Sequence, residues 1–422
     1  MTATAANVGG GRRAILRALR RRALADAAPI YLVGGPLRDV LLGEPIKDLD
    51  FVVEGDAPAL ARRVAQELKG EAVTYQRFGT ATVVLRDCRV DLVTARREVY
   101  PRPGALPEVS PGTILDDLAR RDFSINALAL PLAHRRPALL DPQGGVADLA
   151  RGVIRALHSR SFADDPTRIL RALRYEQRLG FRLDVGTLSA MQAAIRGGCL
   201  DAVSGDRLRR ELQRILEERR PERALTRAME LGVLAAIHPA LKDSGALKKL
   251  AWDGANPGAT SLAYVAALAC SLTPGDAGGV VRRLMMPGPW ARVVQDTVAV
   301  KELEPSLARP GLTPSGVYRL VEGRAPEALY AVSRTTASPL VAQRLGDHLG
   351  RLRPSAEGLR LAVPSLNGND LLALGVPAGP RVGQLLQELR DARLDGRITS
   401  EAEERAWVQG FLTWDGGPSE NG

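Results

Sequence analysis

The hydrophobic pattern of the chain changes once, near residue 150, and this change limits the folds that the chain can adopt. Before it, short β-rich runs ("YLVGG", "DLDFVV", "TATVVL", "RVDLVT") alternate with helical stretches such as "APALARRVAQELKG". After it, strand patterns disappear and helical periodicity continues towards the C-terminus. We therefore predict an α+β head, built from a mixed β-sheet with helices, followed by an all-α neck, body and tail.

Turn clusters and shifts in composition divide the chain into six predicted segments. They are a basic N-terminal extension at 1–29, the head at 30–150, the neck at 151–220, the body at 221–360, the tail at 361–415 and a disordered end at 416–422. In the extension, Ile15, Leu16 and Leu19 are spaced like the apolar side of a short basic helix. A solvated extension and an organelle transit peptide are the alternatives.

The chain carries an excess of positive charge. Its 422 residues include 58 Lys and Arg against 48 Asp and Glu, a formal net charge of +10. This excess predicts a polyanionic partner, nucleic acid before a membrane surface, because no apolar run approaches the roughly 20 residues of a spanning helix. The cysteines Cys88, Cys199 and Cys270 form no CxxC pair, which indicates a reducing cytoplasm rather than a disulfide framework or a zinc site.

A glycine pair follows the first predicted strand. Gly34 and Gly35 come directly after "IYLV", and Pro36 stands where a helix would begin. Free N–H groups at a helix start, beside residues without side chains, allow a phosphate to approach. Taken alone, such a pair is more commonly a tight turn with no ligand.

Two aspartates follow shortly after this turn. Asp48 and Asp50 are two positions apart at the start of "DLDFVV", so on a strand both carboxylates leave the same face, opposite to Leu49 and Phe51. Asp91 in "RVDLVT" is a third carboxylate in a similar setting. Like charges this close repel, and Mg²⁺ is the natural counter-ion for oxygen ligands in phosphate chemistry. A solvated pair of turn aspartates is the alternative.

Several ordered motifs resemble one known family. "GGPLRDVLLG" followed by "DLD", then "RRDFSINALAL" and "DDPTRILRALRYEQRLGF", are similar to the class II tRNA nucleotidyltransferases and bacterial poly(A) polymerases of the DNA polymerase β-like superfamily. "LDPQGGVADLARGVIRALH", "SGDRLRRELQRIL" and "GNDLLALGVPAGPRVGQLLQEL" extend the resemblance over most of the chain. The resemblance implies that the head is a nucleotidyltransferase domain and that the body and tail bind RNA.

The resemblance also implies roles for individual residues. Asp48, Asp50 and Asp91 would be catalytic, with Mg²⁺ held by Asp48 and Asp50. Asp122 would help to shape its turn. The implied nucleotide-binding residues are Gly34, Gly35, Arg38, Arg121, Asp165, Arg168, Arg171 and Arg174.

The arginines of the last motif share one side of a predicted helix. At about 100° per residue, Arg168, Arg171, Arg174 and Arg178 fall within a third of the circumference, opposite to apolar residues. We expect this stripe to face the ligand, although a solvated charged face is the alternative. A carboxylate such as Asp165 accepts from the amino group of cytosine or adenine, and an arginine such as Arg168 donates to the ring nitrogen, which favours CTP and ATP.

The reaction implied is attack by an RNA 3'-hydroxyl on the α-phosphorus, with pyrophosphate leaving. We expect an enzyme that builds or repairs the 3'-terminal CCA of tRNA from CTP and ATP and that binds the acceptor arm and 3' end. It would work in the cytoplasm.

Three alternatives remain open at this stage. An enzyme that adds only the terminal A would need a separate CC-adding partner, and "ARREVYPRPGALPEVSPGTILDDLARRDF" looks long enough to retain A addition. A poly(A) polymerase is disfavoured because "RFGTATVVL" lacks the histidine that is typical of those relatives. A catalytically silent RNA-binding protein is disfavoured because it has no physical reason to keep repelling carboxylates together.

Overall fold

The structure is a computed structural model, and it describes residues 10–25, 29–46, 48–86, 88–134, 136–242, 245–250, 261–352 and 363–415. The predicted disordered end at 416–422 and the first nine residues of the extension lie outside these ranges. The chain divides into two compact units. The first comprises residues 1–219 and 230–237, and the second comprises residues 220–229 and 238–422.

A six-stranded mixed sheet organises the first unit, in the order β3-β4-β5-β2-β1-β8. Strand β2 runs parallel to β5, whereas β1 is antiparallel to both β2 and β8. The hairpin β6–β7 and the two-residue pair β9–β10 lie outside this sheet. The strands are β1 (Ile30–Val33), β2 (Asp50–Val53), β3 (Glu71–Tyr75), β4 (Thr80–Leu85), β5 (Cys88–Thr94), β6 (Arg96–Val99), β7 (Glu108–Pro111), β8 (Ala129–Pro131), β9 (Val153–Ile154) and β10 (Arg182–Leu183).

Helices cover the sheet and then continue the chain through the first unit. Local signals explain several of their starts: Asp56 caps α3 by accepting from the Ala59 N–H at 2.8 Å, and Thr113 and Asp116 form a capping box at α4. The helices are α1 (Gly10–Ala25), α2 (Gly35–Leu41), α3 (Ala57–Glu67), α4 (Ile114–Ala119), α5 (Gly145–Arg151), α6 (Ser161–Asp164), α7 (Thr167–Leu179), α8 (Val185–Arg196), α9 (Gly205–Leu216) and, between two segments of the second unit, α11 (Val233–Ile237).

The basic extension forms helix α1 on the head. Ile15 and Leu19 are fully buried, while Arg13 and Arg17 are exposed on the other side. The apolar spacing in the sequence therefore identified a helix that packs against the sheet. For residues 10–25, the alternative of a solvated extension is wrong.

The second unit is helical throughout its described residues. Leu329 and Val332 belong to one of its apolar cores, and Leu385 and Leu389 belong to another. Its helices are α10 (Pro221–Glu230), α12 (Gly245–Lys249), α13 (Ser261–Ala269), α14 (Pro274–Arg283), α15 (Gly288–Glu302), α16 (Glu304–Leu307), α17 (Pro314–Val321), α18 (Pro326–Thr335), α19 (Pro339–Leu352), α20 (Gly368–Ala373), α21 (Pro380–Leu394) and α22 (Glu401–Asp415).

The predicted fold class, an α+β head followed by helical domains, is confirmed. One detail is wrong: strands continue past residue 150, because β9 and β10 form a short parallel pair. Two residues per strand are too few to leave a periodic signal in the sequence. Within the described residues, no helix is long and apolar enough to cross a membrane.

Candidate active site

A cavity of about 740 Å³ in the first unit gathers most of the predicted site residues. They come from the turn after β1, the start of β2, the segment just after α4, the turn between α6 and α7, and helix α7. Gly34 and Asp91 do not line the cavity, although each touches or adjoins a residue that does. The predicted residues that line it are Gly35, Arg38, Asp48, Asp50, Arg121, Asp165, Arg168, Arg171 and Arg174.

The glycine turn lets the backbone pass close to an arginine. Gly34 has a φ of +72°, and its N–H donates to the Leu128 carbonyl at 3.0 Å. A Cβ at this position would lie only 2.7 Å from Nη1 of Arg121. Gly34 therefore does not line the cavity itself, but the absence of a Cβ leaves room for the Arg121 guanidinium that does.

Arg38 is held rigidly in the first turn after the glycines. Its side chain is buried, its Nε donates to Asp39 Oδ1 at 2.9 Å, and its Nη1 donates to Asn126 Oδ1 at 2.7 Å. A fixed guanidinium at a cavity wall is suited to binding phosphate oxygens.

The acidic part of the cavity is Asp48 and Asp50. Asp48 is exposed just before β2, and Asp50 is its first residue, while Leu49 and Phe51 are buried on the opposite side. The pKa of Asp50 is raised to about 6 by burial and then by the charges of Asp91 and Asp48, although Arg121 lowers it. Burial and the neighbouring carboxylates thus both disfavour the charged form of Asp50.

Asp91 stands beside Asp50 on the neighbouring strand β5, in register with it. Its Oδ1 accepts from the Thr82 hydroxyl at 2.5 Å. In the parts of the chain that the structure describes, no three His, Cys, Asp or Glu side chains stand close enough together to hold a metal ion. The carboxylate oxygens of Asp48 and Asp50 nevertheless suit a hard divalent cation such as Mg²⁺.

A buried aspartate organises the two arginines before the "DF" motif. Asp117, whose side chain is fully buried, accepts from Arg121 Nη2 at 2.9 Å and from Arg120 Nε at 3.0 Å. Arg121 Nη1 also donates to the Asn126 carbonyl at 3.2 Å. Both guanidinium groups thus reach the cavity in fixed orientations.

Helix α7 presents its arginine stripe to the cavity, with Ile169, Leu170 and Leu173 fully buried on its other side. Arg168 is itself buried and donates to Ser161 Oγ at 2.8 Å and to the Arg120 carbonyl at 2.7 Å. The stripe is therefore a wall of the cavity and not a solvated face.

Arg171 pairs with Asp122 through an Nε···Oδ2 contact of 2.9 Å. Burial raises the pKa of Asp122, but the Arg171 charge and the Asn126 amide outweigh it and hold this pKa at about 2. Burial likewise lowers the pKa of Arg171, and the Asp122 charge reverses the shift, so that this pKa lies above its usual value. Asp122 is thus an anchor for the arginine stripe as well as part of its own turn.

Sequence reasoning missed several side chains of the cavity. Three guanidinium groups contact the ring of Tyr175. The distance from the ring centroid to Cζ is 4.7 Å for Arg174, 5.2 Å for Arg38 and 5.8 Å for Arg171. It follows Arg174 directly, yet an aromatic residue on an arginine-rich helix gave no separate signal. The other missed lining residues with polar side chains include Glu98, Tyr100, Asn126, Arg207 and Glu211.

Two family models match the chain. Residues 30–155 match the model described as "Poly A polymerase head domain". Residues 180–244 match the model described as "Probable RNA and SrmB- binding site of polymerase A". The first match covers the sheet and most of the acidic and glycine motifs of the cavity.

Curated relatives and a solved structure are similar over most of the chain. The CC-adding tRNA nucleotidyltransferase of Deinococcus radiodurans is 34% identical over 95% of this chain and 94% of its own length. The A-adding tRNA nucleotidyltransferase of Geobacter sulfurreducens is 35% identical over 89% of this chain, which spans only 44% of that relative. The Thermotoga maritima CCA-adding enzyme, solved in complex with tRNA, matches with a TM-score of 0.78 and 29% identity over 97% of this chain and 98% of that one.

Proposed function

Because this chain belongs to the tRNA nucleotidyltransferase family, as its sequence motifs predict, we propose that it adds nucleotides from CTP and ATP to the 3' end of tRNA. The chain spans less than half of the length of the A-adding relative from Geobacter sulfurreducens. The proposal therefore rests on the residues of this chain and not on that relative's activity. The product would be the 3'-terminal CCA of tRNA, and the reaction would release pyrophosphate.

One observation carries the proposal: carboxylates and fixed arginines line the same cavity. A nucleoside triphosphate has a polyanionic part, which rigid guanidinium groups bind well. Arg38 and Arg121 are oriented by buried acceptors, and Arg171 by Asp122. We infer that these three arginines, with Arg174 and Gly35, bind the triphosphate, and that Gly34 contributes by leaving room for Arg121.

In the reaction, the RNA 3'-hydroxyl attacks the α-phosphorus while the bond from that phosphorus to pyrophosphate breaks. Asp48 and Asp50 would hold Mg²⁺, which when bound activates the hydroxyl and neutralises the leaving oxygens. Asp91, in register with Asp50, adds negative potential at the site where the cation binds. The arginines stabilise the charge that develops on the phosphate oxygens.

The base would be selected by Asp165, with Arg168 as the proposed donor to the ring nitrogen. Arg168 already donates to Ser161 and to the Arg120 carbonyl, so its orientation is set before a ligand arrives. A carboxylate accepts from the amino group of cytosine or adenine and repels the carbonyl that uracil or guanine presents there. This polarity would favour CTP and ATP.

We assign the acceptor arm and 3' end of tRNA to the helical segments that follow the head, namely the predicted neck, body and tail. The excess of basic residues supports this assignment. The match to an RNA-binding family model over residues 180–244 supports it as well. Because its substrate would be tRNA, we expect the enzyme to act in the cytoplasm.

An enzyme that adds only the terminal A is the second candidate. It is favoured by the relative from Geobacter sulfurreducens, an A-adding enzyme that is similar over most of this chain. Such an enzyme would depend on a separate CC-adding partner. The two candidates differ in their use of CTP on tRNA that lacks its last three nucleotides.

The experiment is incorporation of each labelled nucleotide, with Mg²⁺, into tRNA transcripts that end at the discriminator base, at C or at CC. CTP on the shorter ends and ATP on the CC end would establish a CCA-adding enzyme. ATP on the CC end alone would establish an A-adding enzyme. No incorporation, with Asp50→Asn as the inactive control, would refute the proposal and leave an RNA-binding protein.

A further inference from the structure

We propose that Arg207 is a specificity-determining positioning residue, which fixes the Asp165 carboxylate so that only one of its oxygens is offered to the nucleotide base. Arg207 lies on α9 and lines the same cavity as Asp165. The inference rests on the proposed function, because it concerns how that cavity distinguishes bases.

The first step of the argument is that one oxygen of Asp165 is saturated. Its Oδ1 accepts from the Thr167 hydroxyl at 2.6 Å, from the Thr167 N–H at 3.1 Å and from Arg207 Nη2 at 2.8 Å. Three donors exceed the two lone pairs of one carboxylate oxygen. Among the described residues, no donor reaches Oδ2, and the side chain is 20% exposed where it lines the cavity. Oδ2 is therefore the acceptor that a ligand meets.

The second step is that Arg207 is itself fixed. Its Nη1 donates to the Gly104 carbonyl at 2.8 Å, while its Nη2 donates to Asp165. The planar guanidinium is thus held at both ends by residues from different segments. Gly104 lies in the loop between β6 and β7, with a φ of +71°. Its N–H donates to the Ala163 carbonyl at 3.2 Å, and a Cβ there would lie 2.9 Å from Ala202 Cβ. The loop is thus packed closely enough to hold the acceptor of Arg207 in place.

The chemical consequence is a carboxylate with a fixed orientation. The χ2 torsion of an aspartate is broad when nothing restrains it, so either oxygen can turn towards a ligand or a water molecule. With Oδ1 occupied, Oδ2 points in one fixed direction. Since an ionised carboxylate only accepts, Oδ2 can accept there from a base amino group and cannot donate to a base carbonyl. Without Arg207, only the two bonds from Thr167 would hold Oδ1, so the carboxylate would be less restrained. The discrimination between bases would then fall more than the rate with the correct nucleotide.

The test is the variant Arg207→Gln of the full chain. The measured quantity is the ratio of kcat/KM for the correct nucleotide to kcat/KM for UTP. The correct nucleotide is CTP or ATP, according to the 3' end of the tRNA. We expect this ratio to fall by about tenfold or more, while kcat for the correct nucleotide falls only about two- to threefold. Arg207→Lys keeps the charge but not the two-pronged donor, and we expect it to restore the ratio in part.

The matched control is Arg210→Gln. Arg210 is on the same helix, its side chain is 68% exposed and it pairs with Asp206 at 2.9 Å, away from the cavity lining. It should leave the ratio unchanged. If Arg207→Gln does not fold, Arg207→Lys is measured in its place, with an expected fall of about threefold.

A wild-type ratio in the folded Arg207 variant would overturn the proposal, as would an equal fall in Arg210→Gln. A wild-type protein that incorporates no nucleotide would refute the proposed function, and the inference with it. The wild-type reaction alone reveals that second failure, so the two are distinguishable.

Discussion

Asp50 on β2 and Asp91 on β5 occupy paired positions on neighbouring parallel strands. Two carboxylates side by side in a partly buried sheet repel each other, and the raised pKa of Asp50 reflects burial first and this repulsion second. A fold that retains such a pair gives up some stability for a site that attracts cations. This relation underlies the first prediction.

Asp50→Asn should abolish nucleotide incorporation and, in metal-free buffer, raise the free energy of unfolding by on the order of 1 kcal/mol, because it removes a repelled charge. Mg²⁺ should raise the melting temperature of the wild type and not that of the variant, since a ligand stabilises only the state that binds it. Thermal unfolding with EDTA and with Mg²⁺ measures both effects. Asp56→Asn, at a helix N-cap outside the cavity, is the control. Equal Mg²⁺ shifts in all three proteins would argue against a site at Asp50.

Gly34→Ala should raise the KM for the nucleotide, because the new Cβ would displace the Arg121 guanidinium 2.7 Å away. The substitution also carries a backbone cost of about 1–3 kcal/mol, because Gly34 combines a φ of +72° with a ψ of −127°. Gly43→Ala separates the two effects, since Gly43 has a φ of +74° but no neighbour within 4 Å of its would-be Cβ. Both variants should lose stability, Gly34→Ala more than Gly43→Ala, and only Gly34→Ala should change KM. A KM change of the same size in both would show that backbone strain alone is responsible.

Acid should destabilise the first unit through Asp122. Its pKa is lowered from 3.8 to about 2, because the Arg171 charge and the Asn126 hydrogen bond outweigh burial. The folded state therefore binds the proton more weakly than the unfolded state. The stabilisation, about 2 kcal/mol, is present above the unfolded pKa and is lost as the pH falls from about 4 to 2.

Denaturant unfolding between pH 6 and pH 2 checks this prediction. In Asp122→Asn, the slope of stability against pH should be smaller in the window from about 4 to 2. Identical slopes in the variant and the wild type would mean that other carboxylates cause the acid sensitivity.

Tyr175→Leu should weaken nucleotide binding, since Tyr175 packs beneath the guanidinium groups of Arg38, Arg171 and Arg174. Each cation–π contact contributes about 0.5–2 kcal/mol, so we expect KM to rise roughly five- to thirtyfold with a smaller change in kcat. Tyr175→Phe keeps the ring and should behave like the wild type. Steady-state kinetics of the wild type and the two variants gives the three KM values. An equal rise in KM in the Phe variant would point to the hydroxyl instead of the ring.

Local periodicity was enough to predict the fold class and much of the cavity. Alternation placed Asp48 and Asp50 opposite to the buried Leu49 and Phe51, and a 3.6-residue repeat placed the arginines of α7 opposite to Ile169 and Leu170. Both patterns depend only on neighbouring residues. The resemblance to a family then supplied roles that no pattern gives, and those residue roles stay predictions.

The sequence by itself thus determined the change from a mixed α+β head to helical segments, and which side of β2 and of α7 carries charge. Only the tertiary structure decided which distant residues meet. Asp91 pairs in register with Asp50, Arg121 lies close to the Gly34 backbone, and Arg207 donates to Asp165. The physical reason is that periodicity is a property of adjacent positions, whereas strand order, helix packing and ion pairing depend on how separate segments bury their apolar faces together.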